Sequence, residues 1–195
     1  LMNEPNNMPL AEWAVLAKRI LAELRKVGNT NLIFIGGGKY SGVHDWFSLQ
    51  DGVSNATAFA DVRDPLNRVI LQAHQYPDKD YSGTGTTCRP ADEFNDKFTK
   101  LADWATTNRQ QLFLGEFGMP SSADCLNTMD RFLSLTANSP WKGWTYWAAG
   151  GWWGKYAMAV NTNSSAPSQQ WPTMKHYFFS TTRKSPPKAP EPRRP

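Results

Sequence analysis

LFLGEFG, at residues 112–118, shows most directly how this chain folds. The apolar run from Leu112 to Leu114 is short and continuous, as in a strand buried on both faces, and Glu116 follows where that strand stops. The first five residues, LMNEP, place Glu4 after an apolar residue in the same way. Barrel enzymes keep their chemistry at the C-terminal ends of parallel strands, so both carboxylates are candidates for a site.

Apolar runs and helical patterns alternate along the rest of the chain. Besides a stub before Glu4, strands are predicted at residues 31–35, 69–73, 111–114 and 144–147. Helices are predicted at residues 11–27, 94–105, 126–133 and 171–179. Strands that alternate with helices in this way indicate parallel β/α architecture.

The number of predicted strands favours part of a (β/α)8 barrel. Five strands are found, whereas a closed barrel has eight strands and about 250 residues, so we expect that about three strands and their helices are missing. Leu1 is not an initiator methionine, which fits a chain that starts inside a domain. An open doubly wound sheet is the alternative, but the phosphate loop usual in that fold is missing.

Charge divides the chain into a neutral body and a basic tail. After residue 182 five basic residues face one acidic residue, which accounts for the whole net charge of +4. The neutral body argues against a nucleic-acid partner, since phosphate binding needs a basic face on the folded part. Five prolines predict an extended tail that could lead to an appended module. We therefore predict a barrel domain over residues 1–181 and a linker over residues 182–195.

Several classes of protein and site are not expected. No apolar run approaches the roughly 18 residues that a membrane span needs. The run GGGK at residues 36–39 resembles part of a phosphate loop, but Tyr40 stands where Ser or Thr should bind magnesium. The three histidines lack metal-ligand spacing. We therefore predict no nucleotide, no metal and no other cofactor.

The two cysteines, Cys88 and Cys125, lie in polar, loop-like surroundings outside any Cys/His cluster, which argues against a zinc site. A disulfide between them would imply an oxidising compartment. Two free thiols in a cytosolic protein are the alternative, and the residues alone leave it open.

Six polar or aromatic residues lie just beyond predicted strands: Asn3, Glu4, His74, Tyr76, Glu116 and Trp147. His74 and Tyr76 are two residues apart, so both side chains point to the same mouth. Two facing carboxylates permit glycosidic cleavage, in which one protonates the departing oxygen and the other attacks the sugar carbon. A single glutamate at a strand end is more often a surface or capping residue, so the prediction depends on the combined set.

The nine tryptophans support a sugar ligand, because flat aromatic faces stack on the apolar faces of pyranose rings. Four of them follow predicted loops or the last strand and would be costly to leave exposed without a partner: Trp46, Trp147, Trp152 and Trp153. We assign Trp46, Trp147 and Trp152 to substrate binding. Trp13, Trp104 and Trp144 are predicted to belong to the core.

Six motifs together resemble one known family: LMNEPN, the strand at residues 31–35, HQY at 74–76, YSGTGTTC at 81–88, LFLGEFG and WTYWAAGGWW at 144–153. Over about residues 1–180 the chain resembles the C-terminal part of glycoside hydrolase family 5, most closely the endo-β-1,4-glucanases. The resemblance implies a (β/α)8 TIM barrel, here from the end of strand 4 to helix 8. The Arg and His that the family carries on its early strands have no counterpart here.

The same resemblance implies a role for each site residue. Glu4 would be the acid/base, Glu116 the nucleophile and Asn3 a donor to the sugar 2-hydroxyl. His74 and Tyr76 would orient the carboxylates, and Trp147 would lie beneath the sugar whose bond is cut. The cysteines of such cellulases are often bridged, which favours a Cys88–Cys125 disulfide.

The expected function is retaining, endo-acting hydrolysis of β-1,4-glucan. A related β-glycanase acting on mannan, xylan or mixed-linkage glucan is one alternative, and a noncatalytic carbohydrate-binding protein is another. Because a polysaccharide cannot readily enter a cell, an extracellular location is expected.

Overall fold

The computed structural model describes residues 1–160 and 168–178. Four parallel strands form one sheet in the order of the sequence: β1 (Ile33–Gly36), β2 (Val69–His74), β3 (Leu112–Glu116) and β4 (Trp141–Trp144). Ile35 pairs with Leu71, and Ala73 pairs with Leu114. All four strands therefore end at the same edge of the sheet.

Helices connect and cover the strands. They are α1 (Leu10–Lys26), α2 (Asn55–Ala58), α3 (Asn95–Thr107), α4 (Ala123–Leu135) and α5 (Trp171–Phe178). A short 3-10 helix, Ala91–Phe94, leads into α3. Parallel neighbours need a crossover connection, and α3 and α4 supply it between β2 and β3 and between β3 and β4. The β/α alternation predicted from the sequence is confirmed.

The core lies between the sheet and the helices. Alternate strand residues such as Ile35, Leu71 and Leu114 turn to the helix side and are fully or almost fully buried. On that side the ring of Phe132 in α4 lies 4.7 Å from that of Phe94 and 4.8 Å from that of Phe98. Truncating one such buried ring to alanine lowers the free energy of unfolding by about 3–5 kcal/mol. The packing of these rings therefore stabilises the sheet and holds the strand ends in place.

Two strand predictions are wrong in detail. The fourth strand is Trp141–Trp144 rather than residues 144–147. The buried Trp141 packs against Phe98 at 5.7 Å and pairs with Leu112, which places β4 three residues earlier and leaves Trp147 in the following loop.

The stub before Glu4 is not a strand in the described part of the chain. It does lie beside β1, because a Cβ on Gly36 would come within 2.8 Å of the Asn3 carbonyl oxygen. That contact places the first residues next to the strand ends.

Cys88 and Cys125 form a disulfide with their Cα atoms 5.3 Å apart. It joins the loop after β2 to the first turn of α4, and the two residues are 37 positions apart in sequence. Closing a loop of that length contributes about 4 kcal/mol in the chain-entropy account. The long loop after β2 is therefore anchored to the helical layer.

The predicted linker, residues 182–195, lies outside the described residues. Among the helices that are described, none combines the length and the apolar character that a membrane crossing requires.

Candidate active site

A cavity of about 640 Å³ opens at the C-terminal edge of the sheet. It is lined by all six strand-end residues that the sequence singles out: Asn3, Glu4, His74, Tyr76, Glu116 and Trp147. The structure thus brings together groups that lie up to 144 positions apart in the sequence. Their chemical roles stay predictions.

Glu116 ends β3 and receives two hydrogen bonds. Asn3 donates from Nδ2 to Oε1 over 3.0 Å, and the Tyr76 hydroxyl donates to Oε2 over 2.9 Å. The Glu116 side chain is only 14% exposed, so these two bonds carry much of its stabilisation. Donors on both oxygens stabilise negative charge on the carboxylate and fix its direction.

Glu4 faces Glu116 across the cavity, with His74 between them. His74 Nδ1 lies 2.7 Å from Glu4 Oε1 and 3.8 Å from Glu116 Oε2. One carboxylate oxygen of Glu4 lies within 4.8 Å of one of Glu116. The Glu4 side chain is 30% exposed, so it is the more open of the two carboxylates.

Tyr76 keeps its proton at neutral and moderately alkaline pH. Burial raises the pKa of its hydroxyl, and the negative charge of Glu116 raises it further. Nearby Tyr156 shows the same trend: burial, Asp78 and Glu116 raise its pKa to about 12. Tyr76 is therefore a hydrogen-bond donor to Glu116.

The chain after β2 holds Tyr76 in place. The backbone N–H of Gln75 donates to the Glu116 carbonyl over 2.9 Å. The buried Asp78 carboxylate accepts from the backbone N–H groups of Gly83 and Gly85 and folds the loop back. Gly83 has φ +74°, and a Cβ there would come within 2.8 Å of the Tyr76 ring. A glycine at this turn lets the loop lie against Tyr76.

Aromatic rings form the other wall. Trp147 is 39% exposed, and its ring lies 4.8 Å from that of Trp153 in an edge-on contact. Both line the cavity. Trp152 is 92% exposed and does not line it, so the ring predicted at Trp152 is provided instead by its neighbour Trp153.

The prediction that Trp46 binds substrate is wrong. Its side chain is fully buried, and its ring lies 5.8 Å from that of Trp104 and 6.5 Å from that of Phe59. Its carbonyl also accepts from the backbone N–H of Ala56 in α2, at 3.0 Å. The loop that carries Trp46 therefore turns its ring into the core.

His44, Tyr81 and Gln72 lie in or near the cavity and were not predicted as site residues. The rings of His44 and Tyr81 stack at 4.0 Å on the cavity wall, where burial lowers the pKa of His44. In the sequence, only the motif that begins at Tyr81 points to this region. Gln72, inside β2, bonds to both Asn3 and His74. Nothing in the local pattern distinguished it from an ordinary strand residue.

Glu4, His74 and Glu116 also form the one group of three acidic, His or Cys side chains in residues 1–160 and 168–178 whose donor atoms lie close enough to hold a metal ion. His74 Nδ1 lies 2.7 Å from Glu4 Oε1, and the Glu116 carboxylate accepts from Asn3 and Tyr76. Two opposed carboxylates with separate donors can perform acid–base and nucleophilic chemistry on one bond.

Known proteins match both the sequence and the fold. The sequence model of the cellulase family, glycosyl hydrolase family 5, matches residues 1–151. An endo-β-1,4-glucanase B of Aspergillus niger is 32% identical over 139 residues, which cover 70% of this chain and 40% of that protein. The endo-β-1,4-glucanase A of Emericella nidulans is 29% identical, over 91% of this chain and 53% of that protein.

Solved structures agree with these matches. An endo-β-1,4-glucanase from Xanthomonas axonopodis pv. citri superposes with a TM-score of 0.82 at 36% identity, over 90% of this chain and 58% of that chain. XacCel5A in complex with cellopentaose gives a TM-score of 0.82 at 38% identity, over 90% and 57%. The chain thus spans about half the length of the relatives it matches, and its parallel sheet and covering helices are part of a (β/α)8 barrel. The chain belongs to the cellulases of glycosyl hydrolase family 5.

Proposed function

We propose that the protein carrying this chain is an endo-acting β-1,4-glucan hydrolase that works by a retaining double displacement. The observation that carries the proposal is the short separation of Glu4 and Glu116. A carboxylate oxygen of one lies within 4.8 Å of a carboxylate oxygen of the other. Retaining glycosidases hold their carboxyl groups about 5 Å apart, whereas inverting enzymes need about 6.5–9.5 Å to admit a water. This spacing leaves no room for a water between them in the first step.

Glu116 is the nucleophile in this proposal. It accepts hydrogen bonds from two donors, Asn3 and Tyr76, which fix the direction of the carboxylate. In the first step one of its oxygens bonds to the anomeric carbon while the bond from that carbon to the leaving-group oxygen breaks. The product of this step is an ester between the sugar and Glu116.

Glu4 is the acid/base. It is more open to the cavity than Glu116, and its Oε1 is bonded to His74. In the first step Glu4 gives a proton to the departing oxygen. In the second step it takes a proton from the water that attacks the anomeric carbon, and the ester to Glu116 breaks.

The aromatic wall supports a β-glucan as the substrate. Trp147 presents an exposed ring face or edge beside the two carboxylates, where a pyranose can stack. Relatives are named endo-β-1,4-glucanases, and XacCel5A was crystallised with cellopentaose. Reducing-sugar assays on carboxymethyl cellulose, mannan, xylan and mixed-linkage glucan test this choice: β-1,4-glucan should give the fastest release, and a faster rate on mannan or xylan would overturn it.

Azide rescue tests the two roles separately in the intact enzyme. With an activated aryl β-cellobioside, Glu116→Ala leaves the α face open, so azide should yield an α-glycosyl azide. Glu4→Ala still forms the ester with Glu116, so azide should enter from the opposite face and yield a β-glycosyl azide. Exchange of these two products would reverse the assignments. A protein that binds the glucan without cleaving it would be a noncatalytic binding protein.

We also propose that the protein is secreted. The Cys88–Cys125 disulfide supports an oxidising compartment, and a polymeric substrate lies outside the cell. Thiol alkylation of freshly collected culture medium and of cell lysate tests this, because the protein should be in the medium with both cysteines unreactive. Accumulation inside the cell with alkylated cysteines would contradict it.

A further inference from the structure

Gln72 contacts a hydrogen-bond partner of each of the two carboxylates. It belongs to β2, two residues before His74, so both side chains leave the strand on the same face. Its Nε2 lies 3.3 Å from Asn3 Oδ1 and 2.8 Å from His74 Nε2. One amide nitrogen, which carries two hydrogens, thus contacts a partner of each carboxylate.

The hydrogen bonds that link Glu116, Asn3, Gln72 and His74 have directions that follow from the carboxylate of Glu116. An ionised carboxylate only accepts, so Asn3 must turn Nδ2 towards Glu116 and Oδ1 towards Gln72. Oδ1 also only accepts, so Gln72 must present its NH2 group there. The same nitrogen then donates its second hydrogen to His74.

The state of the imidazole follows. Because Gln72 Nε2 donates, His74 Nε2 must accept and carries no hydrogen. The neutral ring then holds its hydrogen on Nδ1, which donates to Glu4 Oε1 over 2.7 Å. With Oε1 occupied as an acceptor, the proton that Glu4 delivers sits on its other oxygen.

The neighbouring strand makes room for this side chain. A Cβ on Gly115 would overlap Cγ and Cδ of Gln72, so only glycine at that position lets the glutamine lie across β3. The glycine that precedes Glu116 in LFLGEFG is therefore needed by Gln72. Two residues on adjacent strands are matched to keep the amide in one place.

We propose that Gln72 is a positioning residue that locks His74 in its Nδ1–H form and Asn3 in its Glu116-facing rotamer, so that the acid/base and the nucleophile are oriented by one amide. Its catalytic consequence rests on the function proposed above, whereas the hydrogen position on His74 does not. The two can therefore be tested separately.

The first test needs no turnover. Two-bond ¹H–¹⁵N spectra of the intact protein at pH 7 should show His74 with its hydrogen on Nδ1, the His74 signals being those that vanish in His74→Gln. Gln72→Leu should lose the pure Nδ1–H pattern, and Gln111→Leu should keep it. Gln111 is a matched control, because its amide contacts Asn67 and the Val69 carbonyl at the opposite end of the sheet. An unchanged Nδ1–H pattern in Gln72→Leu would overturn the proposal.

The second test uses the leaving group. Cleavage of cellotetraose needs a proton from Glu4, whereas 2,4-dinitrophenyl β-cellobioside releases a phenolate that needs none. Gln72→Leu should lower kcat/KM for cellotetraose about 10–100-fold, as loss of an orienting neighbour typically does. The loss of kcat/KM for the activated substrate should be about tenfold smaller. Equal losses on both substrates would overturn the part of the proposal in which Gln72 acts on the acid/base through His74. If the parent enzyme cleaves neither, the proposed function fails while the spectra still decide the role of Gln72.

Discussion

The C-terminal and N-terminal ends of the parallel sheet hold the same kind of group for different purposes. At the C-terminal end, Glu116 is held by Asn3 and Tyr76 and opens into a cavity. Before the N-terminal end, Asp64 is held by Arg25 through two bonds of 2.8 and 2.9 Å, and its side chain is fully buried. Both are carboxylates with strong donors. Whether a cavity reaches the carboxylate decides if the arrangement does chemistry or stabilises the fold, and in barrels these tasks fall on opposite faces.

The comparison predicts the largest loss of activity at the cavity end. Glu116→Gln keeps the shape but removes the nucleophile, so turnover should fall on the order of 10⁴-fold or more. Binding to insoluble cellulose, measured by depletion from solution, should be retained. Glu12→Gln, on the exposed face of α1, is the matched control and should behave as the parent. Full hydrolysis by Glu116→Gln would place the chemistry elsewhere.

Removing one donor from Glu116 should cost less. Tyr76→Phe should lower kcat about 10²-fold, as loss of one positioned donor does elsewhere. Since burial and Glu116 raise the pKa of Tyr76 above its ordinary value of 10, its hydroxyl stays protonated on the alkaline side. The variant should therefore lower the whole pH–rate profile without moving its alkaline limb. A shifted limb would show that Tyr76 titrates there, and Tyr177→Phe, whose hydroxyl bonds Asp130, serves as control.

The aromatic rings should divide into a binding effect and a stability effect. Trp147→Ala should raise KM about tenfold, equivalent to about 1.4 kcal/mol of stacking. Trp152→Ala should change KM little, because that ring does not line the cavity. Trp46→Ala should lower the free energy of unfolding by about 3–5 kcal/mol, as expected for a buried ring. Denaturant titration and KM should be measured on all three variants. If Trp46→Ala changed KM and left the free energy of unfolding unchanged, the separation into binding and stability effects would be wrong.

The Asp64 end should affect stability and leave kcat unchanged. Hydrogen bonds from Arg25, then from backbone N–H groups, lower the pKa of Asp64 to about 2. The folded state thus holds the proton less tightly, so the stabilisation is present above about pH 4 and is lost as pH falls towards 2. Asp64→Asn should cost about 2 kcal/mol at pH 7, and the difference from the parent should shrink below pH 4. A constant difference down to pH 2 would contradict the assignment.

The positions of the strand-end residues could be predicted from the sequence, whereas the aromatic wall beyond Trp147 could not. A short apolar run followed by a single polar residue marks a strand end. This pattern predicts that Glu116, His74 and Tyr76 lie at one edge of the sheet. Trp46 lies in a loop and Trp153 ends a short 3-10 helix, Gly151–Trp153. The burial of each ring depends on what its segment packs against, and no local pattern records that. The end of β4 was misplaced because Trp144 and Trp147 are both aromatic, and period alone cannot choose between them.

Gln72 shows a second limit. It lies inside a strand, where a polar residue has no signal of its own, and its two bonds run to residues from different segments. Only the three-dimensional arrangement reveals that Gly115 leaves space for it.

The configuration of the first product tests the central claim, that Glu4 and Glu116 act together in a double displacement. Proton NMR of cellotetraose hydrolysis by the intact enzyme, followed from the first seconds before mutarotation, distinguishes the anomers of the new reducing end. Two successive displacements should give the β anomer first. If the α anomer appears first, the mechanism is a single displacement, and the short Glu4–Glu116 separation has been misinterpreted.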